Sequence, residues 1–146
     1  MAFLYTHTIH ADVGLMQQGL LTIRDGSYRG KVQIQPEGRE ASLNIRDTSA
    51  RAALVLKLKA YFEKVPGVAG VYTNKEAQEL SIPLLASTDQ APDLYLVAKQ
   101  GYALAEGAEG PIVRDVVPAR GAHGYLNTNS DMEALFVIWG HMFVPE

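Results

Sequence analysis

The strongest constraint in this sequence is a change of hydrophobic period at Asp47. Before it, Lys31-Val32-Gln33-Ile34-Gln35 and Ala41-Ser42-Leu43-Asn44-Ile45-Arg46 alternate polar and apolar residues, the period of half-buried strands. Pro36-Glu37-Gly38 separates the two runs. After it, Leu54, Leu58, Tyr61, Phe62 and Val65 recur at helical spacing, and Lys57, Lys59, Glu63 and Lys64 fall mostly off that stripe. Asp47, Thr48 and Ser49 offer N-cap oxygens, Lys64 suits the negative end of the helix dipole, and Pro66-Gly67 stops the helix. A chain that must bury both a strand face and a helix stripe folds as α+β or mixed α/β, here with two or three helices.

The rest of the chain extends this reading. The first eighteen residues have no clear period, and Val13, Leu15, Met16, Leu20 and Leu21 suit one short helical or extended stretch. Leu20-Leu21-Thr22-Ile23 is β-prone and runs into the turn Arg24-Asp25-Gly26-Ser27, so residues 20–46 suggest an antiparallel meander. Val68 to Tyr72 reads as a strand. Thr73-Asn74-Lys75-Glu76 has capping-box spacing and predicts a short helix ending near Leu80. Asp93 to Ala98 and Ile112 to Val117 are further strands, and Ala134 to Trp139 is a continuous apolar run suited to a strand buried on both faces.

Composition removes several function classes. Thirteen Lys+Arg against sixteen Asp+Glu give a net charge of −3, without the basic surplus of a nucleic-acid binder. No cysteine is present, which excludes disulfides, thiolate zinc sites and cysteine nucleophiles. The most apolar window, Ala134 to Val144, is too short to span a membrane, and no Lys or Arg precedes Arg24 as a secretory signal would require. Cytoplasmic is the default expectation, with no membrane and no nucleic acid as partners. At 146 residues the chain suits a single domain or a fragment of a larger one.

Gly121-Ala122-His123-Gly124-Tyr125 is the most informative segment for chemistry. Two glycines let the backbone turn sharply around the histidine and leave its imidazole unshielded, and neutral imidazole is a good zinc or iron ligand. A solvated loop histidine is the plainer alternative, and one histidine cannot hold zinc, which needs about three protein ligands. His7, His10 and Asp12 do not share one face in either a helix or a strand, so they read as a polar, exposed N-terminal segment. His141 reads as a satisfied or edge histidine. Asp93, Asp115 and Asp131 are candidate carboxylates, but no spacing forces two of them together, and Asp93 and Asp131 sit in turn-like contexts. Phosphate-loop and Gly-x-Ser-x-Gly motifs are absent.

Three blocks then occur in order: Pro92-Asp93-Leu94-Tyr95-Leu96-Val97-Ala98-Lys99-Gln100-Gly101-Tyr102-Ala103, Gly121-Ala122-His123-Gly124-Tyr125, and Asp131-Met132-Glu133-Ala134-Leu135-Phe136-Val137. Together they resemble the later part of the type I phosphodiesterase/nucleotide pyrophosphatase family of the alkaline phosphatase superfamily. Leu20-Leu21-Thr22-Ile23-Arg24-Asp25-Gly26 and the unit around Val65-Pro66-Gly67-Val68 resemble family segments further upstream, so the similarity runs from about residue 9 to the end. The resemblance implies hydrolysis of phosphodiester or pyrophosphate bonds by a threonine or serine nucleophile and two metal ions, usually zinc. It implies that His123 is one metal ligand. It also implies a partial alkaline-phosphatase-like sheet, with a cap-like α+β subdomain over about 19–85 and strands and metal-site loop of the catalytic sheet over about 91–146.

No other ligand, and no nucleophile, can be matched to this chain. His7 lies in Tyr-Thr-His-Thr, without the family's Asp-His-Gly signature, and Gly140-His141 departs from the family's Gly-Pro. The resemblance therefore implies a segment of a hydrolase, inactive alone, acting on a phosphodiester or nucleotide once completed by a missing N-terminal half. The other readings are a non-catalytic interaction or oligomerisation module derived from such a hydrolase, and a small-ligand-binding regulatory domain. Strands such as 94–98 and 134–139, if parted from the sheet partners the resemblance implies, would expose edges and apolar faces, so a homo-oligomer covering 134–139 is expected.

Overall fold

The computed structural model describes residues 3–124 together with residues 126, 128 and 137. Among the described residues are β1 (Phe3–Ile9), α1 (Ala11–Gln17), β2 (Leu21–Arg24), β3 (Ser27–Gly30), β4 (Val32–Glu37) and β5 (Glu40–Ile45). They continue with α2 (Arg51–Phe62), β6 (Val68–Thr73), β7 (Leu94–Ala98), β8 (Gly101–Leu104) and β9 (Val113–Ala122). Short 3-10 turns cover Thr48–Ala50 and Glu76–Leu80. The class is α+β, as the change of period at Asp47 requires. No helix among the described residues is long and apolar enough to cross a membrane.

The strands form three sheets, ordered β8-β1-β9, β2-β3 and β4-β5-β7-β6. The expected meander over residues 20–46 is thus two hairpins in different sheets. The β2-β3 pair stands apart, and β4-β5 continues into β7 through the register Ala41↔Leu96 and Leu43↔Leu94. β1 lies between a parallel neighbour, β8, and an antiparallel one, β9. An isolated bridge between Gly38 and Leu104 ties the three-stranded sheet to the four-stranded one.

β7 is buried along its whole length because both of its faces are covered. Leu94, Leu96 and Ala98 join the main core with Leu43, Leu54, Leu58 and Phe62, so the helix stripe packs on this face of the sheet. Tyr95 and Val97 face the other way, into a smaller cluster with Ala77, Leu80, Ile82 and Leu126. Each fully buried Leu or Phe contributes about 1.5–3 kcal/mol by leaving water. β5 and β6 pair with the two edges of β7, so this strand finds its sheet partners within the described residues. The apolar run 134–139 lies outside the described residues except for Val137, which is exposed.

Two helix-start expectations resolve differently. Thr73 and Glu76 form the reciprocal capping box: the Thr73 amide donates to Glu76 Oε2 at 2.7 Å and the Glu76 amide to Thr73 Oγ1 at 3.4 Å. The element it opens is a 3-10 turn ending at Leu80. Asp47, by contrast, caps no amide with its side chain. Its carboxylate accepts the Ser49 hydroxyl at 2.6 Å and pairs with Lys31 at 3.1 Å, and a 3-10 turn leads into α2 instead.

Candidate functional site

His123 follows the last residue of β9 and its side chain is exposed. Its backbone is held against the β4–β5 turn. The Arg39 amide donates to the His123 carbonyl at 3.1 Å. Gly38 and Gly124 sit at φ of +76° and +78°, and a Cβ on Gly38 would overlap the His123 carbonyl oxygen, while one on Gly124 would overlap the Glu37 carbonyl oxygen. The two turns interlock at a separation that only glycine permits. The imidazole makes no hydrogen bond with any described residue, so the turn fixes the backbone and presents the ring to solvent.

The structure does not bring the other sequence candidates to His123. Among the described residues no group of three His, Cys, Asp or Glu is placed to hold a metal ion. The described donors therefore do not fit a two-metal site by themselves. Asp131 and His141 lie outside the described residues. Asp93 is buried, with Oδ2 accepting the Ile45 amide at 2.7 Å and Oδ1 at 3.3 Å from Arg51 Nε, so this carboxylate joins β5, β7 and the start of α2.

The N-terminal candidates separate into two places. His10 and Asp12 are buried, not exposed as the polar sequence suggests, because β1 ends under the loop that follows β8. His10 Nδ1 lies 2.8 Å from the Glu106 carbonyl and Nε2 lies 3.0 Å from Thr8 Oγ1. A carbonyl only accepts, so Nδ1 carries the proton and Nε2 accepts from the Thr8 hydroxyl. Both ring nitrogens are engaged. Burial and the nearby Arg114 lower the His10 pKa, against the opposing pull of the Glu106 carbonyl and Asp12. Asp12 Oδ2 accepts the Gly107 amide at 3.1 Å, and burial raises its pKa.

His7 faces elsewhere. It stacks on Tyr102 with ring centroids 4.7 Å apart, places Nε2 3.3 Å from Asp115 Oδ1, and has Nδ1 2.9 Å from Thr6 Oγ1. This hydroxyl–imidazole–carboxylate chain was invisible in the sequence because Asp115 reaches His7 only through the β1–β9 register. It lies on an open sheet surface, with Asp115 largely in water, where solvent screens the pair. In comparisons with known proteins, no family model matches the chain and no curated protein matches it.

Proposed function

We propose that this chain is a segment of a metal-dependent hydrolase of phosphodiesters or nucleotide pyrophosphates, with His123 as a zinc ligand. The observation that carries the reading is the presentation of His123. Its backbone is pinned to Arg39 and interlocked with Gly38, while its imidazole is exposed and engaged by none of the described residues. A ligand is most effective when its backbone is already held and its ring is available. The ordered segments around residues 92–103, 121–125 and 131–137 support the same reading through their resemblance to the phosphodiesterase/nucleotide pyrophosphatase family.

The remaining ligands and the nucleophile come from another polypeptide, so the chain alone is inactive on phosphodiesters. A homo-oligomer that covers residues 134–139 belongs to the same proposal. The test is a zinc competition with a chromogenic chelator, comparing the chain with His123→Ala, followed by hydrolysis of bis(p-nitrophenyl) phosphate. Zinc affinity that falls in the variant supports the reading. Measurable zinc affinity that is equal in both proteins overturns the role of His123. Zinc-dependent turnover that vanishes in the variant would move the complete site into this chain or its oligomer.

A second reading is an interaction or oligomerisation module derived from such a hydrolase. It is favoured by the structural use of the His123 carbonyl and by the lack of a converging donor group among the described residues. A stable oligomer without zinc affinity would select it.

A further inference from the structure

We propose that Thr6 is a surface nucleophile, activated by His7 and Asp115, that takes the acyl group of an activated carboxylic ester or thioester. Thr6 and His7 are neighbours in β1, and in a regular strand their side chains would point to opposite faces. The pairing register shifts between Tyr5 and His7 against both β8 and β9. Such a bulge re-aims a side chain. Here it brings the Thr6 hydroxyl to 2.9 Å from His7 Nδ1, with Thr6 itself exposed.

The imidazole is held for this role by two further groups. Tyr102 stacks on it and lies in turn against Gly67, where a Cβ would overlap the tyrosine ring. Asp115 Oδ1, 3.3 Å from Nε2, favours the tautomer with its proton on Nε2. Nδ1 is then the base that accepts the Thr6 proton, so nucleophile, base and orienting carboxylate follow one another as an activated hydroxyl requires. Solvent weakens the pull of Asp115, which is 84% exposed, and makes it a positioning residue. Leu4, two residues before Thr6, is 68% exposed. Val117, in the stretch of β9 between the partners of Tyr5 and His7, is 91% exposed. Both place apolar surface next to Thr6.

These groups select the substrate. Thr6 Oγ1 attacks the acyl carbon while its proton passes to His7 Nδ1, and the bond from that carbon to the leaving oxygen or sulfur breaks as the leaving group takes up the proton. Water then attacks acyl-Thr6, its proton passing through Nδ1 to Oγ1, which releases the carboxylic acid. An aryl oxide or a thiolate is a weaker base than the Thr6 alkoxide, so it departs first from the tetrahedral intermediate. Asp115 repels an anionic phosphodiester, whereas a carboxylic ester is uncharged and its acyl chain meets apolar surface. The inference does not depend on zinc at His123, because none of these residues belongs to that turn.

The test is incubation of the full chain with p-nitrophenyl butyrate in the presence of EDTA, following p-nitrophenolate release and locating the acyl group by tandem mass spectrometry. Butyryl on Thr6 and saturable release are expected. Thr6→Ala should abolish acylation at that position, and His7→Gln should slow release about a hundredfold. Asp115→Asn should lower kcat with KM unchanged, and Asp115→Glu should recover part of the loss. All three positions are exposed or half-exposed, and circular dichroism checks that each variant is folded. The proposal is overturned if the acyl group is found only on His7 or on lysines, if Thr6→Ala releases p-nitrophenolate as fast as the unaltered chain, or if His7→Gln acylates Thr6 at the unaltered rate. An unaltered kcat in Asp115→Asn overturns the part assigned to Asp115.

Discussion

The Arg39 amide donates to the His123 carbonyl at 3.1 Å, and this bond fastens the turn after β9 to the turn between β4 and β5. Arg39 is itself buried, donates through Nη2 to the Ala98 carbonyl at 2.9 Å, and accepts the Ala98 amide on its own carbonyl at 2.8 Å. The same short segment thus anchors the end of β7 and the histidine turn, so His123 is positioned by the sheet and not only by its flanking glycines.

Gly38→Ala and Gly124→Ala should each destabilise the protein by about 2–4 kcal/mol, from a disfavoured positive φ plus overlap with a facing carbonyl. Both changes separate the same pair of turns, so the double variant should lose clearly less than the sum of the two. Urea denaturation of the four proteins measures this. Full additivity would show that the turns do not act as one unit.

His123→Ala should change stability by less than about 0.5 kcal/mol, since the exposed ring has no partner among the described residues and the carbonyl bond to Arg39 survives. A thermal melt of the variant checks it. A large loss would mean that the imidazole is a packing group and would undercut its use as a ligand.

Asp93→Ala should cost about 1–3 kcal/mol, because it removes the acceptor of the Ile45 amide, while solvent screens the half-exposed Arg51 that loses its partner. Asp93→Asn retains an acceptor oxygen and should cost clearly less. Chemical denaturation distinguishes the two, and similar losses would indicate that charge alone matters.

His10 links stability to pH. Its folded-state pKa lies below the ordinary 6.5, so just below pH 6.5 the unfolded chain binds more protons than the folded one. The stability His10 contributes is present above pH 6.5 and is lost as pH falls through its folded pKa. Asp12 acts in the opposite sense. Its folded pKa is raised above 3.8, so its contribution is full below 3.8 and is lost as pH rises through the folded value. Urea midpoints between pH 7 and about pH 5.5 should fall for the unaltered chain and fall less for His10→Asn, which keeps a donor for the Glu106 carbonyl.

Glu76 extends the dependence to lower pH. Its carboxyl is lowered to about 2, first by the Thr73 amide and then by Lys59 and the Thr73 hydroxyl. Its contribution is therefore present above 4.5 and is lost as pH falls toward 2. Glu76→Gln should remove that part of the acid sensitivity. An unchanged acid profile in the variant would show that the Thr73–Glu76 box does not stabilise the folded state.

The sequence by itself determined what depends on neighbours a few residues away. The alternation in residues 32–45 marks β4 and β5, the stripe from Leu54 to Phe62 marks the buried face of α2, and Thr73 and Glu76 sit at the spacing of a reciprocal box. Periodicity records which face is buried, and capping chemistry is local, so both are readable along the chain. Only the tertiary structure decided which elements meet. β7 lies between β5 and β6, Asp115 reaches His7 across the β1–β9 register, and His10 and Asp12 are buried by the loop around Glu106 and Gly107. Polar residues near the start of a chain carry no sign of burial until a segment about a hundred positions away supplies the carbonyl and amide that satisfy them.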